Sequence, residues 1–141
     1  MVWKTLLLVA VAVAFVSARR EACAQGPSLE HTPRPAVPVT IGGDQYLDAC
    51  AGKGVITGLD PRGDGFLAVK AGPGPRYKRV DKLFNGEQVY LCSDHGKWFG
   101  VVYSKTKQKC NVTTPWAKPL PYTGPCRSGW IHKSYVKITA G

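Results

Sequence analysis

Residues 88–103 read Gln-Val-Tyr-Leu-Cys-Ser-Asp-His-Gly-Lys-Trp-Phe-Gly-Val-Val-Tyr. Gln88 to Cys92 alternates and is rich in β-formers. Lys97 to Tyr103 is aromatic and β-branched, and Ser93-Asp94-His95-Gly96 between them is turn text. Two β-rich runs around so short a break predict strand, turn, strand.

The same grammar continues on both sides. Gly52 to Leu59 reads as a short strand, Asp60-Pro-Arg-Gly-Asp-Gly65 as a turn, Phe66 to Val69 as a second strand and Ala71-Gly-Pro-Gly-Pro75 as another turn. Lys105 to Gly129 is a long, polar, Pro-rich loop, after which Gly129 to Ile131 and Tyr135 to Ile138 close the domain. No helical period and no internal repeat occurs. The chain of 141 residues holds 16 Gly and 11 Pro, which suits short strands joined by turns. With 44% hydrophobic and 20% charged residues it can bury a core, and its length allows one domain with a tail. The expectation is an all-β domain, a small barrel or sandwich.

The amino terminus has the form of an export signal. Lys4 supplies a positive charge, Leu6 to Val16 is an almost unbroken apolar run, and Ala22-Cys23-Ala24 offers small residues where a signal peptidase cuts. A run of about a dozen residues is shorter than the roughly 20 of a spanning helix, so the membrane is met only transiently. Cleavage after Ala18 is the alternative to cleavage after Ala24. Cys23 follows Arg20-Glu21-Ala22, and a lipidation box needs an apolar residue where Arg20 stands. Residues 1–24 are therefore expected to be a signal peptide. Residues 25–40, with prolines at 27, 33, 35 and 38, are expected to be an extended linker, and residues 41–141 to be the folded domain.

Beyond the signal four cysteines remain, Cys50, Cys92, Cys110 and Cys126. An even count in a small exported chain predicts disulfides, and four cysteines allow three connectivities. Cys110–Cys126 is favoured because it closes a turn-rich loop, and Cys50–Cys92 follows by remainder. No Cys-x-x-Cys pair occurs, so a structural zinc site is not expected.

The charge is +10 overall, with 19 basic and 9 acidic residues. It concentrates at Arg76, Lys78, Arg79 and Lys82, and again at Lys105, Lys107 and Lys109. The plainer reading is a solvated face. The sharper one is a surface for an anionic polymer of the cell envelope; export argues against nucleic acid.

Leu67-Ala68-Val69-Lys70, Ala71-Gly72-Pro73-Gly74 and Tyr77 form an ordered series with Leu83, Gly86, Val89, Trp98, Val101, Gly129-Trp130 and Tyr135-Val136. In this order the chain resembles a bacterial SH3 domain across residues 52–138. It departs from that family at Ala68 (usually Asn), at Ala71 (usually Ser) and in the long insertion Lys105 to Ser128. The resemblance implies a small SH3-like barrel of about five or six short strands, with a long loop before the last strands. It also implies a ligand groove around the first turn and the Gly-Trp strand, lined by Tyr77, Trp98, Trp130 and Tyr135, with Arg76, Lys78 and Arg79 steering anionic ligands. Peptidoglycan or another envelope component would be the ligand, as a peptide or an anionic polymer, in the periplasm or outside the cell. The alternative is a module docking an envelope or host protein through residues 105–128. For Trp98 and Trp130 the plainer reading is core packing; for Tyr77 and Tyr135 core and wet positions weigh equally.

Catalysis is not expected. No Ser, His and acid set and no framed carboxylate pair stands out among His31, His95, His132 and the acids, and no cofactor or metal is called for. Arg62-Gly63-Asp64 matches an adhesion tripeptide, but its Gly and Asp are also what a turn needs. Asn111-Val112-Thr113 fits a glycosylation acceptor that a bacterial chain would seldom use.

Overall fold

Strand Trp98–Tyr103 is buried on both faces from Gly100 to Tyr103, which means that protein lies above and below that part of it. The computed structural model describes residues 32–141. The expected signal, 1–24, and the expected linker as far as residue 31 lie outside the described residues. Eleven strands follow in order: β1 (Thr40–Ile41), β2 (Asp44–Asp48), β3 (Gly52–Ile56), β4 (Leu67–Lys70), β5 (Arg79–Leu83), β6 (Gln88–His95), β7 (Trp98–Tyr103), β8 (Pro115–Trp116), β9 (Leu120–Pro121), β10 (Arg127–His132) and β11 (Val136–Ala140). A single 3-10 turn, Lys133–Tyr135, separates the last two. The described residues are all-β, without an α-helix.

Seven strands make one antiparallel sheet in the order β11-β3-β6-β7-β10-β4-β5. It curls around a core of Ile56, Leu67, Val69, Leu83, Val89, Val101, Tyr103 and Ile131. The expected barrel is corrected here: β11 and β5 each pair with one neighbour only, so the sheet does not close. β5 is an edge strand, and its Arg79 and Lys82 are the charges that keep an edge from pairing with another chain. The expected four-residue turn 93–96 is also corrected. β6 runs on to His95, and only Gly96-Lys97 remains as a two-residue turn, with Gly96 at φ 58° as tight hairpins require.

Successive side chains of a strand face opposite sides, and β7 uses both. Val101 and Tyr103 join the core above, while Val102 faces a second cluster with Ile41, Ala49, Cys50, Cys110 and Val112. That second layer is woven from the amino-terminal segment and the insertion. β1 pairs with β9 and β2 with β8. Between them Ala49 N–H donates to Thr114 O at 2.9 Å and Cys50 N–H to Val112 O at 3.1 Å. Disulfides Cys50–Cys92 and Cys110–Cys126 both lie in this layer. Tyr122 ties the insertion to itself, its hydroxyl donating to Cys110 O at 2.9 Å and accepting from Cys126 N–H at 3.1 Å.

The folded region starts earlier than residue 41. Val39 is buried, Val37 N–H donates to Ala71 O at 2.8 Å, and Tyr122 N–H donates to Val39 O at 2.8 Å. Residues 37–40, read as linker, are thus tied to the fold through backbone hydrogen bonds and the buried Val39 side chain, while Val37, Pro38 and Thr40 stay exposed. Gly100 makes room for Val39, because a Cβ there would stand 2.9 Å from Ser93 Cβ and 3.2 Å from Val39 Cγ1.

One polar cluster crosses the sheet. Tyr103 Oη donates to Asp81 Oδ2 at 2.8 Å, and Arg127 Nη1 donates to the same oxygen at 2.9 Å. Partial burial pushes the Asp81 carboxyl up, but the Lys82 N–H, Tyr103, Arg127 and Lys105 together hold it below its ordinary value. Burial first, and then the Asp81 carboxylate, push the Tyr103 hydroxyl far above its own.

Candidate binding face

Directly opposed residues of an antiparallel pair face the same side of the sheet. The registers His95↔Trp98, Trp98↔His132 and Gly100↔Trp130 therefore put His95, Trp98, Trp130 and His132 on one face. Their rings meet edge to face: His95 and Trp130 at 6.4 Å, Trp98 and His132 at 5.4 Å, His132 and Tyr135 at 6.4 Å between centroids. Such pairs prefer this arrangement, and each adds about 0.5–1.5 kcal/mol beyond burial. The result is a ridge of rings along one end of the β6–β7 hairpin.

Three of the expected aromatics, Trp98, Trp130 and Tyr135, are brought together in this ridge, with different exposures. Trp130 is 5% exposed, and its Nε1–H donates to Val37 O at 2.7 Å; it packs the floor and pins the amino-terminal segment. Trp98 is half-buried and Tyr135 is exposed. The 3-10 turn sets the position of Tyr135, and His132 Nδ1 caps that turn by accepting the Ser134 N–H at 3.3 Å. His95 and His132 have no place in the sequence-based groove. The signal for His132 was its spacing of two from Trp130, which puts both on one strand face.

Tyr77 stands beside the ridge. With His95, Arg34, Arg76 and Pro73-Gly74-Pro75 it lines a shallow cleft of about 360 Å³. Its ring lies flat on Gly72, where a Cβ would come within 2.4 Å of it. The Arg34 guanidinium sits 5.7 Å from the ring centroid. Of the three expected steering residues, only Arg76 is at this cleft. Lys78 pairs through its carbonyl with Ala71 N–H, and Arg79 lies over Phe66, 5.3 Å from that ring's centroid. Arg34 is the cation that the linker reading concealed.

The remaining motifs have local structural explanations. Asp60 Oδ1 accepts the Arg62 N–H at 2.8 Å, so the Arg62-Gly63-Asp64 tripeptide is part of an exposed capped turn. Asn111 is exposed at φ 60°, a conformation that Asn tolerates. Asp94 is adjacent to His95 in sequence but faces the other side of β6, where Lys133 Nζ meets it at 2.5 Å. Among the described residues no three His, Cys, Asp or Glu side chains converge as metal ligands would.

In comparisons with known proteins, no family model, no curated protein and no solved structure matches the chain.

Proposed function

We propose that the protein is an exported, non-catalytic, SH3-like binding module that recognises a peptide or anionic polymer of the cell wall or envelope through the aromatic ridge. The observation that carries this reading is the ridge itself. Trp98 and His132 are half-buried and Tyr135 is exposed along the ridge, and Tyr77 continues it into a cleft lined also by Arg34 and Arg76. Ring faces hold apolar backbone or sugar surfaces, and guanidinium forks hold carboxylates. The SH3-like assignment is supported by the order in which the motif residues fall on the strands. Leu67 to Lys70 forms β4, Trp98 opens β7, Gly129-Trp130 lies in β10, and Tyr135-Val136 leads into β11. Export is supported by the signal-like amino terminus and by two disulfides, which persist in oxidising compartments.

The test uses Trp98→Ala and Tyr77→Ala in co-sedimentation with purified peptidoglycan sacculi. Each variant is expected to keep its fold by circular dichroism and to bind about tenfold more weakly, a difference of about 1.4 kcal/mol. Binding unchanged in both removes the ridge from the ligand site.

A second reading, docking of an envelope or host protein on the insertion layer, is favoured by two residues. Tyr46 and Leu47, on the strand that pairs with the insertion, are 82% and 57% exposed, and apolar side chains so open suit a protein partner. Substituting both with Ser abolishes partner capture on that reading and leaves sacculus binding intact.

A further inference from the structure

At the end of the β6–β7 hairpin away from Trp98, a groove of about 730 Å³ opens between the β3–β6 surface and the chain that follows β7. Sites for small ligands span roughly 300–1,000 Å³. Lys53, Lys105 and Lys107 border the groove, and Tyr90 lies within it, with Lys53 Nζ 5.6 Å from the ring centroid. The carboxylate at the groove, Glu87, is already engaged: Oε1 accepts from Lys105 Nζ at 2.7 Å, and Oε2 accepts the Phe84 N–H at 2.6 Å. Lys105 is neutralised by that contact and donates also to Lys82 O at 2.8 Å. Lys53 and Lys107 enter no ion pair among the described residues, so the groove is left net positive.

The rest of the polar lining comes from Gln88, Ser104, Gln108 and Thr139. Amides and hydroxyls both donate and accept. Ser104 Oγ and the Gln108 amide are already engaged within the wall, so Gln88, Thr139 and the Ser104 hydroxyl hydrogen are the groups left for a ligand. A bare anion would use the ammonium groups and leave these idle, whereas a hydroxylated ring carrying a carboxylate uses them as well, together with the Tyr90 face.

The wall that carries Lys107 is held in place before any ligand arrives. Ser104 Oγ accepts the N–H of Thr106 at 3.1 Å and of Gln108 at 3.0 Å, and Gln108 Nε2 donates to Pro125 O. The Cys110–Cys126 disulfide closes the loop behind it. Lys107 itself is at φ 60°, uncommon for a residue with a side chain, and these bonds hold it there. A wall fixed in advance loses little entropy on binding.

We propose that this groove is a second ligand site, separate from the aromatic ridge, and that it takes an acidic oligosaccharide. Lys53 and Lys107 meet its carboxylates, and Tyr90 meets a ring face. The disulfide-held insertion, the chief departure from the family pattern, forms the wall. The proposal does not depend on what the ridge binds.

The test is calorimetric titration of the full processed protein with tri-galacturonate. Maltotriose serves as the neutral sugar and citrate as a non-sugar anion of like charge. Tri-galacturonate is expected to bind with Kd of about 1 mM or tighter, and the two controls about tenfold or more weakly. Lys53→Ala and Lys107→Ala each weaken binding about tenfold at an unchanged unfolding midpoint. Lys107→Gly, which accepts the positive φ, gives the same loss if charge is the cause. Trp98→Ala leaves this binding unchanged, which separates it from the ridge. Citrate binding as tightly as tri-galacturonate, absence of tri-galacturonate binding, or indifference to the lysine substitutions overturns the proposal.

Discussion

Tyr103→Phe removes one hydroxyl from the middle of the sheet and tests whether the Asp81–Tyr103–Arg127 cluster ties β5, β7 and β10 together. Tyr103 is 1% exposed, and its hydroxyl donates to Asp81 at 2.8 Å. A hydrogen bond to a charged group contributes about 1.5–3 kcal/mol. Asp81 keeps Arg127 and the Lys82 N–H in the variant, which places the expected loss near 2 kcal/mol at neutral pH. The pH dependence adds a sharper signature. The folded Tyr103 pKa is raised, so its contribution is fully present below the unfolded value of about 10 and is lost as pH rises beyond it. At roughly pH 11 the wild type has lost about 1.4 kcal/mol of this contribution and the variant none, so the difference shrinks to about 0.6 kcal/mol. Asp81 acts in the opposite direction. Its folded pKa is lowered, so its contribution is present above the unfolded value of about 3.9 and is lost as pH falls through the folded value. The difference between wild type and variant therefore forms a plateau with an acid edge and an alkaline edge. Urea unfolding followed by tryptophan fluorescence, at matched salt across the pH range, measures it. A variant as stable as wild type at neutral pH, or a difference that stays flat past roughly pH 10.5, refutes the reasoning.

Three further outcomes are expected. Replacing Cys110 and Cys126 with Ser opens a loop of sequence separation 16, and urea unfolding is expected to show a loss of about 3 kcal/mol in the chain-entropy account; no loss means that the second layer is held by its packing alone. Gly72→Ala sets a Cβ 2.4 Å from the Tyr77 ring and costs about 1–3 kcal/mol as the ring is displaced; wild-type stability with an unmoved Tyr77 proton resonance contradicts the stacking. Leu83→Ala empties a fully buried site and lowers stability by about 2–5 kcal/mol; a smaller change in the unfolding midpoint means that β5 closes little of the core.

Strands that bury one face or both were legible as text. β6 alternates, and β7 is apolar throughout because a second layer covers its outer face. The cysteines pointed to two bridges because their number was even. β5 was read as a basic cluster, because only Leu83 of its five residues is fully buried and Arg79 and Lys82 guard a sheet edge. Residues 37–40 were read as linker because three nearby prolines conceal Val37 and Val39, whose partners Ala71, Tyr122 and Trp130 are distant in sequence. β8 and β9 are two residues each and exist only by pairing with β2 and β1. Failure of the sheet to close depends on how its edges meet, which no local pattern records.

At the candidate face, the aromatics Trp98, Trp130 and Tyr135 were named from a motif, whereas His95 and His132 enter through cross-strand register. Arg79 was grouped with Arg76 by proximity in sequence. The strand sends them apart, one to Phe66 and the other to the Tyr77 cleft.

The central claim is that ring faces, and not charge alone, hold the ligand. The most direct test is sedimentation of residues 25–141 with purified sacculi at low salt and again at about 0.5 M salt, where the screening length falls to a few ångströms. The account predicts that most of the protein pellets at both concentrations. Pelleting that disappears at the higher concentration, or that never occurs, contradicts it.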